Sequence, residues 1–278
     1  MPVVTATIAS LHLYPVKSLR AMNPASAVVR QLGLAGDRRW LVVDPEGRFL
    51  TQRKVPAMAR IGAELVEEGL LLSYGTLSST LAPRIDYPAL HDVRVWNRVV
   101  LAVDQGDEVA TWLTMVLGQM VRLVAIPPGL EEAPGSHQTA FADGFPLLVV
   151  NEASVDFLNK ELAAKGLPPV GPDRFRANLV LRGLEPWAED DIAELRIGSV
   201  RLRFDKACAR CRVVSTDQET GIHNTEPLAT LAEFRTGMGG RGITFGWNAT
   251  ITAGVGHSLN VGDEVEVIRR DPTETLPV

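Results

Sequence analysis

Turn residues cut the first 120 residues of the chain into short apolar stretches that read as β-strands. Thr5–Tyr14 alternates loosely between apolar and polar positions, and Trp40–Val43 is a compact apolar run closed by the turn signal Asp44–Gly47 (DPEG). Val93–Val100 and Leu101–Val103 are rich in β-branched residues around a bend. One helix is predicted in this half, with Asp107 as N-cap, EVATWLTMVLG after it and Gly118 placed to stop it. Pro127–Gly135 (PPGLEEAPG) reads as a loop or boundary. Beyond it, Pro146–Val150 has the continuous apolar run of a buried strand. Asn151 then caps a helix, EASVDFLNKELAAKG, with Val155, Leu158 and Leu162 on one face. Phe175–Leu181, Leu195–Ile197, Val200–Phe204 and Val213–Ser215 are predicted strands, and Glu226–Phe234 a short helix. Ile243–Thr252 and Val261–Ile268 close the chain as strands. Strands dominate and no regular βαβα alternation is present, so the fold class is β-rich α+β, barrel-like rather than doubly wound.

Composition narrows the function. Across 278 residues, 46% apolar and 22% charged is an ordinary globular mixture with enough apolar surface for a sizeable core. Its 28 basic and 33 acidic residues leave a net charge of −5, which argues against nucleic acid as the main partner. No run approaches the roughly 20 apolar residues of a membrane span. The N-terminus, MPVVTATIASLHLYPVKS, lacks a basic n-region and meets a proline early, so it reads poorly as a signal peptide. The expected compartment is the cytoplasm. With Cys208 and Cys211 as the only cysteines, a disulfide framework and a four-thiolate iron–sulfur cluster are both excluded.

Those two cysteines form the sharpest local motif, Lys206-Ala-Cys208-Ala-Arg210-Cys211-Arg212. Structural zinc would need two further ligands, and the chain offers only scattered His12, His91, His137, His223 and His257. A thioredoxin-type dithiol should open a helix, whereas VVST and the turn DQETG follow here. Two readings stay open. One is a single ligating or reactive thiolate favoured by Lys206, Arg210 and Arg212; the other is a pair of buried structural cysteines. Gly237–Gly242 (GMGGRG) matches G-x-G-x-x-G literally, but a strand follows it where a dinucleotide site needs a helix, so it reads as a loop. Basic residues cluster beside four turns: Lys17-Ser18, Asp37-Arg38-Arg39, Gln52-Arg53-Lys54 and Asp173-Arg174-Phe175-Arg176. They fit either a pocket focused on a small anion or ordinary solvated surface charge. Among the acids, Asp143 and the run Glu189-Asp190-Asp191 raise the idea of paired carboxylates, but the run reads as a solvated turn or helix start. His223 and His257 read as structural or surface residues.

Taken together and in order, several segments resemble a known family. These are LHLYPVKSL, GLAGDRRWLVVDPEGRFLTQRKVP, FADGFPLLVVNEASVDFLN, RFRANLVLRG, LRIGSVRLRFDKACARCRVVSTDQETG and FGWNATI. From about Ile8 to Ile268 the chain resembles a MOSC-domain protein with its N-terminal β-barrel partner, similar to YcbX-like proteins and the mitochondrial amidoxime-reducing component. The resemblance implies an N-terminal barrel-like domain over 1–120 and a MOSC β-barrel domain over 121–278, with a few peripheral helices.

It also implies a molybdenum cofactor, a pyranopterin (molybdopterin) whose dithiolene binds the metal and whose phosphate needs cations. Cys211 is then the protein's metal ligand and catalytic cysteine, and Cys208 is not a ligand. Lys17, Ser18, Arg38, Arg176, Asn178, Arg210, the backbone of Ala209 and Asn248 are implied cofactor contacts. Ala209 stands where relatives often have serine, Ala177 where they have proline, and Gly144-Phe145 replaces a small hydroxylic pair. The implied activity is reduction of N-hydroxylated compounds, with electrons from a separate ferredoxin-, flavodoxin- or cytochrome-type protein, since the chain stops at Val278 without a ferredoxin-type domain. The alternative is a cofactor or sulfur carrier in which Cys211 relays sulfur; a module that only binds an anion is the third. Pyridoxal phosphate binding enters only through the wider superfamily.

Overall fold

A computed structural model describes residues 4–75, 78–83, 90–127, 140–237 and 242–270. Seven strands close a barrel. In order around its wall they are Val4–Leu11, Leu179–Arg182, Leu147–Asn151, Thr244–Ala253, Val200–Ala209, Ile192–Ile197 and Glu264–Arg269. The Leu147–Asn151 and Leu179–Arg182 strands run parallel, and the other neighbours are antiparallel. Register sets Ile8 opposite Leu181, and Leu195 opposite both Leu202 and Val267, so these apolar positions fill the barrel interior. The wall strand of residues 147–151 is buried on both faces: Leu147 and Val149 join the interior, whereas Leu148 and Val150 pack outward. That is why its sequence is continuously apolar instead of alternating.

Outside the barrel, helix Glu152–Ala164 is capped by Asn151, whose side chain accepts from Ala153 N, and buries Val155, Leu158 and Leu162 as its spacing predicts. A four-stranded sheet (Trp40–Val43, Arg122–Ala125, Arg98–Asp104, Leu90–Val95) and a three-stranded one (Ile61–Val66, Gly69–Tyr74, Ser78–Pro83) accompany helix Asp107–Leu117. Val109, Trp112 and Leu113 of that helix share a core with Val42, Leu70, Leu72 and Leu123. Chain order and spatial order differ, because the barrel takes Val4–Leu11 from the N-terminal segment. Likewise Ser258–Asn260 pairs with Ser26–Arg30.

Several local expectations change. Gly106, with φ +94°, occupies the N-cap position and Asp107 begins the helix; Gly118 ends it in the left-handed conformation expected of it. Phe175–Leu181 is not one strand. Pro172–Phe175 forms a 3-10 turn, Arg176 takes φ +58°, and the strand begins at Leu179. Val213–Ser215 lies in a 3-10 turn, Arg212–Ser215, with Val214 in the core; so short an apolar run has no period that separates turn from strand. The short third helix covers Leu228–Ala232. Most of the Pro127–Gly135 and Gly237–Gly242 segments lie outside the described residues. Among the described residues no helix is long and apolar enough to cross a membrane.

Candidate functional site

The Val200–Ala209 strand runs past its predicted end at Phe204 and carries Cys208, after which Cys211 opens the 3-10 turn. Loops from four distant segments converge there around a cavity of about 200 Å³. All nine residues that the family resemblance implies line it: Lys17, Ser18, Arg38, Arg176, Asn178, Ala209, Arg210, Cys211 and Asn248. Each of the four basic clusters therefore contributes, through Lys17-Ser18, Arg38, Arg53 and Phe175-Arg176. Among the described lining residues five cations (Lys17, Arg38, Arg53, Arg176, Arg210) face one carboxylate, Asp143. In an acidic chain that excess focuses positive potential on the cavity.

Backbone geometry holds these side chains in place. Ser18, Arg38 and Arg176 all have left-handed φ values, +68°, +49° and +58°. Such conformations cost on the order of 1–3 kcal/mol each and persist only where surrounding contacts over-determine them. Arg38 donates through Nη1 to the Asp37 carboxylate and to Asn178 Oδ1 (2.9 Å), and through Nη2 to Arg176 O (3.1 Å). The guanidinium groups of Arg38 and Arg176 both lie over the Tyr14 ring, 4.4 and 4.1 Å from its centroid. Arg176 Nη1 donates to Leu19 O at 2.8 Å. Burial pulls the Arg176 pKa down to about 10, and burial of the Tyr14 hydroxyl pushes its pKa up.

On the facing side, Lys17 Nζ donates to Phe141 O (2.7 Å) and to Asp143 Oδ1 (2.5 Å). Burial lowers the Lys17 pKa, and the bond to Asp143 partly restores it. Burial by itself would raise the Asp143 carboxyl, but the charge and hydrogen bond of Lys17, with the Trp96 indole at 2.8 Å, hold it down to about 2.

The two thiols have different cations. Arg210 turns back, donating through Nη1 to Cys208 Sγ (2.9 Å) and through Nη2 to Phe175 O (2.7 Å). Cys211 Sγ instead accepts from Arg53 Nη2 at 3.0 Å. The flanking residues expected to serve the thiolate do not do so at Cys211: Lys206 lies over the Phe145 ring, and Arg212 is exposed. Both cysteines are free and half-buried, so neither is a sealed core thiol.

Arg53 and Asp143 are the principal site residues that the sequence alone did not assign, although each lay in a segment flagged for its charge. The acidic run separates from the site altogether. Glu189 is fully buried beneath helix Glu152–Ala164, where Oε2 accepts from Asn151 and Ser154, and Asp190 pairs with Arg235. The solvated-turn reading of Glu189 is thereby corrected: the 3-10 turn is present, but its first carboxylate points into the core. His12 bonds Ser10 and His223 bonds Thr216, away from the cavity; His137 lies outside the described residues.

The cationic lining suits an anionic group. Arg176 Nη2 and Arg210 Nε are buried without a hydrogen-bond partner, a costly state that an anion would relieve. Among the described residues no three His, Cys, Asp or Glu side chains gather to hold a metal. A phosphate-bearing pterin dithiolene that leaves one position to a protein thiolate fits these features.

Comparison with known proteins agrees in extent. Residues 5–120 match the MOSC N-terminal beta barrel domain and residues 136–266 the MOSC domain. The chain is 34% identical over 247 residues to mitochondrial amidoxime-reducing component 1 of Homo sapiens, covering 82% of this chain and 72% of that protein. It is 30% identical over 246 residues to mitochondrial amidoxime reducing component 2 of Bos taurus, again covering 82% and 72%. Molybdenum cofactor sulfurase of Drosophila mojavensis is 33% identical over 238 residues, 82% of this chain but 30% of the sulfurase.

Proposed function

The chain belongs to the MOSC-domain family that includes the mitochondrial amidoxime-reducing components, and from that membership we propose that it is a molybdenum-cofactor-dependent oxidoreductase that reduces N-hydroxylated compounds. The balanced reaction is R–NHOH + 2 electrons + 2 protons → R–NH2 + H2O, with hydroxylamines, amidoximes and N-hydroxylated bases as the substrate class. The observation that carries this reading is the convergence of four basic segments on a cavity that also presents Cys211.

In this reading Cys211 is the protein ligand to the metal and the catalytic cysteine. Lys17, Ser18, Arg38, Arg176, Asn178, Arg210, Asn248 and the backbone at Ala209 hold the cofactor. When bound, the cofactor would supply the two-electron redox chemistry that cleavage of an N–O bond needs. The chain supplies binding, orientation and electrostatics. Arg38 and Arg176, stacked on Tyr14 and anchored to Asn178 and Leu19, present guanidinium planes whose geometry is set before an anion arrives. Lys17 is oriented by Phe141 O and Asp143. Lys17 and the Trp96 indole hold the Asp143 carboxyl below the usual carboxylate range despite its burial, so at neutral pH it acts as an acceptor that aims Lys17.

Electrons come from a separate ferredoxin-, flavodoxin- or cytochrome-type protein in a weak, small-area encounter. In this reading residues 1–120 and 121–278 are the two family modules, and Val4–Leu11 of the first stands in the barrel wall with six strands of the second. Two free thiols suit a reducing compartment such as the cytoplasm. Pyridoxal phosphate forms no part of this reading.

The sulfurase likeness favours one second reading, a carrier in which Cys211 relays sulfur. Metal analysis, mass spectrometry and a dye-coupled reduction assay separate the two. Near-stoichiometric molybdenum with pterin, and hydroxylamine reduction from a dye donor but not from nicotinamide alone, is the expected result. A persulfide on Cys211 without metal would favour the carrier.

A further inference from the structure

Arg53 is, among the described residues, the side chain that donates to the Cys211 sulfur, through Nη2 at 3.0 Å. It reaches the thiol across 158 residues of sequence and is clamped from its other side. Its guanidinium lies over the Trp96 indole, 4.9 Å from the ring centroid. Trp96 sits at the tip between the Leu90–Val95 and Arg98–Asp104 strands with φ +55°, a conformation that bulky side chains rarely adopt. Two contacts keep it there: an edge-to-face packing on Phe49 at 4.8 Å, and the Nε1–H bond to Asp143 Oδ1. Trp96 is strained and 45% exposed, and it touches two residues that line the cavity: Arg53, which it stacks against, and Asp143, to which it donates.

Arginine suits the task better than lysine. Its charge is permanent, its planar fork stacks on an indole while a second N–H points elsewhere, and it is weakly hydrated. A hydrogen bond from a cation to a ligating sulfur withdraws electron density from the metal–sulfur bond. That stabilises the more electron-rich state of the metal and raises its reduction potential. We propose that Arg53, clamped on Trp96, is a positioning residue that fixes the Cys211 sulfur and raises the reduction potential of the metal bound to it. The inference rests on Cys211 being the metal ligand.

The test uses cofactor-loaded protein and compares Arg53→Gln, Arg53→Lys, Trp96→Ala and Trp96→Phe with the unmodified chain. Molybdenum content, melting temperature, a mediated redox titration and the electron paramagnetic resonance spectrum are recorded for each. R53Q is expected to keep the melting temperature while its midpoint shifts negative and its spectrum changes. R53K, with charge but no stacked fork, should recover part of the shift. W96A leaves Arg53 and Cys211 chemically intact yet should move the midpoint in the same direction by less, and W96F should lie between W96A and the unmodified protein. If R53Q loses molybdenum, R53K and W96A decide. Midpoints and spectra in R53K and W96A that superimpose on the unmodified protein's overturn the proposal while leaving the functional reading intact. Absence of molybdenum from the unmodified protein, seen directly in the metal analysis, overturns both.

Discussion

Arg38 and Asn178 stand 140 residues apart in sequence and meet in a hydrogen bond of 2.9 Å between Nη1 and Oδ1. Asn178 is buried and makes two further bonds: Oδ1 also accepts from Leu148 N (3.2 Å), and Nδ2 donates to His12 O (3.2 Å). One amide thus ties the start of the Leu179–Arg182 strand to its barrel neighbour and to the cationic wall. Asn178→Ala would leave a backbone donor, a carbonyl and part of a guanidinium without this partner. The expected cost is about 3 kcal/mol in denaturant unfolding, together with weaker cofactor retention. An unfolding midpoint equal to that of the unmodified protein would show that the amide is dispensable.

Arg176 is stabilised differently. Its pKa is lowered by burial, and one of its nitrogens lacks a partner, so without an anion beside it the charge is a burden. Arg176→Met should therefore leave the melting temperature of the cofactor-free protein unchanged or raised. In the loaded protein it should weaken cofactor retention by roughly 10- to 100-fold, the loss of one charge-assisted bond of about 1.5–3 kcal/mol. Dialysis followed by metal analysis reads the second effect and calorimetry the first. Equal losses in both would mark Arg176 as a scaffold residue.

The two cysteines should separate cleanly. Cys211→Ala is expected to abolish molybdenum binding and hydroxylamine reduction. Cys208→Ala removes only the sulfur that Arg210 Nη1 contacts, and Arg210 keeps its bond to Phe175 O. It should retain metal and most activity. Molybdenum lost from the Cys208 variant and kept by the Cys211 variant, both folded by circular dichroism, would reverse the assignment.

Glu189 makes stability depend on pH. Burial raises its pKa to about 7, with Oε1 unpartnered and Oε2 bonded to Asn151 and Ser154. A carboxyl whose pKa is higher folded than unfolded favours folding when protonated. Its contribution is complete below the unfolded value of about 4.3 and is lost as pH rises through 7. Glu189→Gln cannot ionise and should flatten that dependence. Relative to the variant, the unmodified protein should lose up to about 3 kcal/mol between pH 5 and pH 8. Melting curves at both values check this, and parallel shifts in the two proteins would refute it.

Local chemistry alone determined a good deal of this molecule. Apolar runs and turn residues identified a strand-rich fold, Asn151 marked its helix start, Gly118 its helix end, and Val155, Leu158 and Leu162 the face that is buried. The cysteine pair and the basic clusters beside turns were visible because residue type and spacing are local properties, and the order of the segments carried the family resemblance. Tertiary structure decided which of these features meet. Periodicity states that a face is buried but not what covers it, so it could not show Val4–Leu11 closing a barrel with strands from the far end of the chain. The left-handed turns at Ser18, Arg38 and Arg176 leave no glycine as a signal, since contacts across the fold impose them. The same limit hid Glu189, whose acidic run looks solvated until a helix covers it. It also hid Arg53: adjacency pointed to Arg210 and Arg212 as the cations at Cys211, but the chain folds so that Arg210 meets Cys208 and a guanidinium 158 residues away reaches Cys211. Electrostatic and hydrogen-bonding partners are set by distance in space, and only the packed barrel and its loops fix that distance.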